Sequence, residues 1–223
     1  MFPIITQNRL THFTGETGGR ICLNLDRITP QQQKGPTCGL VALSMCLEHF
    51  EVDAPVEKIL ETAKRMGFTK QGEMYSAAFL AAITNEFLPE SATVCKFPDA
   101  RTFSQAVLEG KLILIPYDCG PNYQAKNAYG VSAHWMLACG FVEKNVEAEG
   151  FRMAESVVES PEDVAIIGYQ GKSTTMNVFP FSEVSASNSQ LLEVGSKRNP
   201  DEYVIPDPNN LSDLRNLVVV VSK

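Results

Sequence analysis

Apolar residues in the first half of the chain recur at the spacing expected of helices. In residues 39–50 they stand at Leu40, Leu43, Cys46 and Leu47, at spacings of three, three and one. This predicts a helix with one buried face. Further helices are predicted at 53–66, 77–87 and 101–109. Asp53 is the expected N-cap of the first of these, and Gly67 follows its end.

The second half of the chain contains short apolar runs bounded by Gly, Pro or polar residues. These runs predict strands at 112–115, 135–142, 163–169, 174–180, 203–206 and 217–221. Residues 20–25 are expected to form a short strand or an extended arm, and the acidic segment 143–162 an exposed connection.

Helices followed by strands predict an α+β protein, with a helical N-terminal layer packed on an antiparallel, sheet-rich C-terminal half. Residues 1–223 are expected to form one domain, since this length suits a single core. Its helical lobe is expected at about 31–110 and its strand-rich lobe at about 111–223.

Composition narrows the possible functions. The chain is 44% hydrophobic and has a net charge of −7, which gives no reason to expect nucleic acid or an anionic membrane surface as partner. No apolar run approaches about 18 residues, and the N-terminus lacks the pattern of a secretory signal. The six cysteines form no CxxC pair and there are three histidines, so reduced thiols are expected, with no metal and no other cofactor.

Cys38 occupies a position that suits a nucleophile. Gly35 and Pro36 break the backbone just before it, and the apolar helix begins directly after it. The N–H groups and positive dipole end of a helix stabilise a thiolate, which is the reactive form. An isolated cysteine at a helix start more often serves packing alone. His134, at the start of a distant strand-like run, completes the pattern of papain-like cysteine peptidases.

Seven short segments carry a more specific signal. In chain order they are 33–43, 72–76, 114–118, 134–135, 170–173, 187–191 and 203–206. Their residues and their order are similar to those of the actin maturation proteases, over a stretch from about Gln31 to the C-terminus. The resemblance implies a cytosolic, papain-like cysteine aminopeptidase that removes an acetylated Met or Cys from the N-terminus of newly made actin.

The same resemblance assigns roles to individual residues. It carries Cys38 over as the nucleophile and His134 as the general base, with the N-terminal segment of actin as the partner. Mammalian members have a Pro-rich N-terminal extension, whereas this chain begins shortly before the core. Partner contacts that use such an extension are therefore not predicted here.

The oxyanion donors are expected to be the backbone N–H of Cys38 and a glutamine amide. Papain-like spacing favours Gln32, whereas the Gln-x-Gly-Pro-x-Cys block favours Gln33, and the sequence does not separate them.

Four more residues are candidates for roles at the site. Gln170, at the end of the strand after His134, is a candidate to orient the imidazole. Asp118 is the alternative, and it is also a candidate substrate-binding residue unless it caps the turn at 119–132. Trp135 is a substrate platform or a core residue. Lys172, like Lys34, either attracts the acidic N-terminus of actin or lies in solvent.

Two other functions are compatible with the sequence. One is a different papain-like thiol peptidase, which would process leader peptides or ubiquitin-like tails. The other is an actin-binding module whose site is catalytically dead.

Overall fold

The fold consists of helices packed on an antiparallel sheet. The structure is a computed structural model, and it describes residues 7–15, 19–24, 27–144, 158, 160–195 and 200–223. The helices are α1 (Gln7–Thr14), α2 (Cys38–His49), α3 (Val56–Arg65), α4 (Ala77–Phe87), α5 (Ala100–Leu108) and α6 (Phe181–Ser189). The strands are β1 (Gly19–Leu23), β2 (Ala92–Lys96), β3 (Leu112–Asp118), β4 (Ala133–Lys144), β5 (Val164–Gln170), β6 (Ser173–Pro180) and β7 (Leu217–Val221).

The strands form one sheet in the order β2-β7-β3-β4-β5-β6, with β1 paired to β4. Every pairing is antiparallel. β3 is buried along its whole length because helices cover both faces of the sheet. Leu112 and Leu114 pack in the cluster with α2, α3 and α4, whereas Ile113 and Ile115 pack with α5 and α6. Burial on both faces explains why this strand is a continuous apolar run.

The helix that begins with Cys38 lies inside the core. Residues 39–47 of α2 are all buried, so the helix is enclosed on every side and not only along the predicted face. Gly39 permits this close packing, because a Cβ atom there would lie 3.0 Å from the Cβ of Met74 and 3.1 Å from Cδ1 of Trp135. The position of the thiol is therefore set by contacts between α2, β4 and the segment around Met74.

The α+β class and the antiparallel sheet confirm the sequence expectation, and α4 has the predicted bounds. Three details differ. Helix α3 begins at Val56, so Pro55 and not Asp53 is its N-cap residue. Residues 203–206 form no strand. Most of 143–162 lies outside the described residues, although 143 and 144 end β4.

Sequence patterns did not predict α1, β2 or α6. β2 is a half-exposed strand at the sheet edge with no apolar run, and α6 is rich in serine, which has low helix propensity. The halves are also less segregated than expected, because β1 and β2 come from the first half of the chain and α6 from the second. Within the described residues, none of the helices combines the length and the apolar character needed to cross a membrane.

Candidate active site

The turn before α2 presents Cys38 at the first position of the helix. Thr37 precedes it, but its hydroxyl donates to the carbonyl oxygen of Lys34 at 3.0 Å and makes no cap hydrogen bond to the helix. Gly72 packs against Thr37 in this turn. At φ +110° it packs so closely that a Cβ atom there would lie 2.5 Å from Cγ2 of Thr37.

His134 lies on β4, next to the end of β5, where Gln170 holds its ring. The Nε2 atom of His134 lies 3.1 Å from Oε1 of Gln170. The backbone N–H of Lys172 donates to the same oxygen at 2.8 Å, which identifies that atom as the acceptor. Nε2 therefore carries the proton, and Nδ1 has the free lone pair that a base needs.

The imidazole is neutral in this environment. Burial lowers the pKa of His134 to about 3, and the positive charge of Lys172 acts in the same direction. The hydrogen bond to Gln170 raises this pKa, but by less. His134 is therefore an unprotonated proton acceptor at neutral pH.

One cavity of about 370 Å³ brings together five of the residues named from the sequence: Gln33, Cys38, His134, Trp135 and Lys172. Cys38 is partly exposed there. A cysteine at a helix N-terminus and a histidine at the start of a strand, both lining one cavity, are the groups expected in a papain-like peptidase, which is recognised by geometry and roles.

Gln33 and Gln32 lie in different surroundings. Gln33 lines the cavity of Cys38, and its backbone N–H donates to the carbonyl oxygen of Gly171 at 2.7 Å. Its amide nitrogen donates one hydrogen to Gly35 at 2.8 Å, which leaves its second hydrogen for another acceptor. Gln32 lines a separate depression together with Lys34, and its amide nitrogen lies 3.5 Å from the backbone carbonyl oxygen of Lys172. Of the two glutamines, Gln33 therefore lies in the lining of the cavity of Cys38 and Gln32 does not.

Asp118 lies outside the residues that line this cavity. Its buried carboxylate accepts hydrogen bonds from the backbone N–H groups of Ala128 (3.0 Å), Gly130 (2.9 Å) and Ser132 (2.7 Å). It thus fixes the loop that leads into β4. Gln170, and not Asp118, makes the hydrogen bond to His134, and we assign Asp118 no contact with substrate.

Trp135 is a buried wall residue. It is 2% exposed, and its indole N–H donates to the carbonyl oxygen of Met74 at 2.8 Å. The exposed Lys172 lies at the cavity edge, whereas Lys34 is exposed elsewhere. A positive charge at the cavity is therefore supplied by Lys172.

The segment 187–191 holds the end of β3 and the loop after it, a role that periodicity did not predict. The hydroxyl of Ser187 accepts from the N–H of Asp118 at 2.8 Å and donates to the carbonyl of Lys126 at 2.7 Å. Asn188 donates to the carbonyl of Pro116 at 2.8 Å. The resemblance in sequence was the one signal that marked these polar residues.

Two of the other cysteines, Cys46 and Cys139, are less suited to chemistry. All six lie in the described part of the chain and none forms a disulfide. Burial raises the pKa of Cys139 to about 12, and it raises the pKa of Cys46 still further. Among the described residues, no group of three or more His, Cys, Asp or Glu side chains lies together so that it could hold a metal ion.

Comparison with known proteins identifies the family. Residues 28–142 match the family described as actin maturation protease-like, C-terminal domain. The chain belongs to this family. The resemblance seen in its seven segments is therefore confirmed, and membership supports a peptidase role.

Individual relatives support the assignment to this family. The chain is 32% identical to the actin maturation protease of Xenopus tropicalis over 221 residues, which covers 90% of this chain and 72% of the frog protein. It is 30% identical to the actin maturation protease of Mus musculus, over 78% of this chain and 56% of the mouse protein. A crystal structure from Bacillus anthracis, described as a C39-like peptidase, matches with a TM-score of 0.49 at 10% identity, over 92% of this chain and 98% of that one. A likeness this weak has no bearing on function.

Proposed function

We propose that this protein is a cysteine aminopeptidase that removes an acetylated Met or Cys from the N-terminus of immature actin in the cytosol. The observation that carries the proposal is the pairing of Cys38 and His134 in one cavity, with the Nε2 proton of His134 held by Gln170. The names of the relatives supply the substrate, since they are actin maturation proteases. Neither nucleic acid nor a membrane is part of the proposal.

In the first step, Nδ1 of His134 accepts the proton of the Cys38 thiol. The thiolate attacks the carbonyl carbon of the acetylated first residue and forms a tetrahedral oxyanion. The neutral resting state of the imidazole suits this step, because a protonated ring has no lone pair to accept the proton.

The oxyanion is stabilised by hydrogen-bond donors beside the sulfur. We assign these to the backbone N–H of Cys38 and to the second amide hydrogen of Gln33. As the tetrahedral intermediate collapses, the carbon–nitrogen bond breaks, and the imidazolium gives its proton to the leaving amine. That amine is the acidic residue that becomes the new N-terminus of actin.

The second half of the reaction releases the acyl group. Water loses a proton to Nδ1 of His134 and attacks the thioester carbonyl. The intermediate collapses, the thiolate leaves and takes back the proton, and acetylmethionine or acetylcysteine is released. No step requires a cofactor, since the groups that accept and donate protons belong to the chain.

Mass spectrometry of the actin N-terminus tests the proposal. Actin carrying an acetylated Met should lose the mass of one acetylmethionyl group after incubation with the wild-type protein. The Cys38→Ala variant should leave the mass unchanged, and Cys95→Ser should act like wild type because Cys95 lies on β2. Unchanged actin mass with the wild-type protein would refute the assignment. Cleavage of a Gly-Gly leader peptide instead would favour the other class of thiol peptidase.

A further inference from the structure

Two of the seven segments, 72–76 and 203–206, have no part in the mechanism, yet the structure joins them beside the cavity. Glu73, which is 3% exposed, makes the connection. Its carboxylate accepts from the backbone N–H groups of Lys70 (2.9 Å), Gln71 (2.8 Å) and Val204 (2.8 Å). A buried carboxylate thus ties together two stretches that lie 131 positions apart.

Two further contacts strengthen the same junction. The Lys70 ammonium donates to the carbonyl oxygen of Asp201 at 2.5 Å, and the Gln71 amide donates to that of Glu202 at 3.2 Å. Burial acts to raise the pKa of Glu73, but the hydrogen bonds from Lys70, Val204 and Gln71 together lower it. Glu73 is therefore ionised and binds the N–H groups as a charged acceptor, which makes these bonds strong.

The junction places Tyr203 at the cavity. The rings of Tyr203 and Tyr75 meet edge to face, with centroids 6.3 Å apart and an interplanar angle of 83°. Both line the cavity of Cys38, as do the apolar side chains of Met74 and Leu214. The cavity thus has an aromatic and apolar wall in addition to its reactive groups.

We propose that Tyr203 and Tyr75 receive the side chain of the substrate's first residue, and that Glu73 is a positioning residue that holds Tyr203 in place. This inference rests on the proposed function. A thioether or thiol makes favourable contacts with aromatic rings, typically with the sulfur about 5 Å from the ring. The wall therefore suits an unbranched, sulfur-containing first residue, and its contacts are lost when that residue is small.

The test compares peptides that differ only in the acetylated first residue, Met or Ala. Tyr203→Ala should lower kcat/KM for the Met peptide by about tenfold and leave the Ala peptide nearly unchanged, because only the larger side chain reaches the wall. The rate of Cys38 alkylation by iodoacetamide should be unchanged. Tyr123→Ala is the matched control, since this tyrosine is exposed and does not line the cavity.

Glu73→Gln provides an independent test that keeps both tyrosines. The amide has one oxygen and an NH2 group, so it cannot accept from all three N–H groups and should loosen the junction. We expect a severalfold higher KM for the Met peptide with kcat and the alkylation rate retained. Glu202→Gln is the control, because Glu202 contacts Gln71 only through its backbone oxygen.

The outcomes separate this inference from the proposed function. If the wild-type protein cleaves neither peptide, nor actin itself, the proposed function fails and this inference fails with it. If the wild-type protein is active and an active Tyr203→Ala variant keeps the wild-type ratio of Met to Ala cleavage, the inference alone is overturned. A wild-type KM for Glu73→Gln would remove Glu73 from its positioning role.

Discussion

The Nε2 atom of His134 and the Oε1 atom of Gln170 lie 3.1 Å apart, in a contact where both side chains are buried. Because the partner is a neutral amide, it fixes the protonated nitrogen without adding a negative charge beside the ring. The pKa of His134 is consequently governed by burial. This relationship makes the ring of His134 a neutral imidazole with a defined tautomer.

Two replacements of Gln170 should distinguish its effect on the orientation of the His134 ring from the effect of a charge beside that ring. Gln170→Ala should lower kcat/KM by about 10- to 100-fold, because the ring loses the contact that aligns it. Gln170→Glu should raise the pKa of His134, since a carboxylate favours the imidazolium. NMR titration of the His134 ring measures the second effect. A pKa that stays at about 3 in Gln170→Glu would contradict the account.

The buried imidazole should make stability depend on pH. In the folded protein the pKa of His134 is about 3, against an ordinary value of 6.5. Between these values the unfolded chain binds more protons, so the free energy of unfolding falls as the pH falls from 6.5 toward 3. The loss from this group should reach about 2 kcal/mol at pH 5.

Urea denaturation at pH 7, 6 and 5 tests this expectation. His134→Gln should show a shallower loss of stability with acid than wild type, because the titrating group is gone. The exposed His12 provides the matched control, and His12→Gln should keep the wild-type dependence. An unchanged slope in His134→Gln would show that this histidine does not control acid stability.

The two glutamines should differ sharply in their effect on catalysis. Gln33→Ala should lower kcat by about 100-fold or more, as expected for removal of an oxyanion donor. Gln32→Ala should stay near the wild-type value, because Gln32 faces another depression. Steady-state kinetics on an acetyl-Met peptide decide the matter, and equal losses in both variants would argue against the assignment of Gln33.

Asp118 should matter for stability and not for substrate binding. Asp118→Ala removes the acceptor for three loop N–H groups and should lower the free energy of unfolding by at least about 3 kcal/mol. Asp53→Ala should be nearly neutral, since Asp53 is exposed and does not cap α3. Urea titration measures both. A raised KM in Asp118→Asn without lost stability would point instead to a contact with substrate.

Local sequence patterns predicted those helices and strands whose apolar residues follow a clear spacing or form a continuous run. Such patterns are sufficient by themselves to predict α2 and α4 from their apolar positions, and β3 and β7 from their apolar runs. α6 was missed because its serine and asparagine side chains are held by partners on β3 and its adjoining loop. The capping role of Asp118 was one of three roles that the sequence left open.

The sequence by itself determined the candidate reactive groups, a thiol at the first position of an apolar helix and a distant histidine, and its ordered set of segments marked the family. Only the tertiary structure placed Gln33, and not Gln32, in the lining of the cavity of Cys38, gave Gln170 its contact with His134, and joined Glu73 to Val204. The reason is physical. Helix starts and apolar runs depend on neighbours along the chain, whereas burial and hydrogen bonds between remote segments exist only once the sheet has brought those segments together.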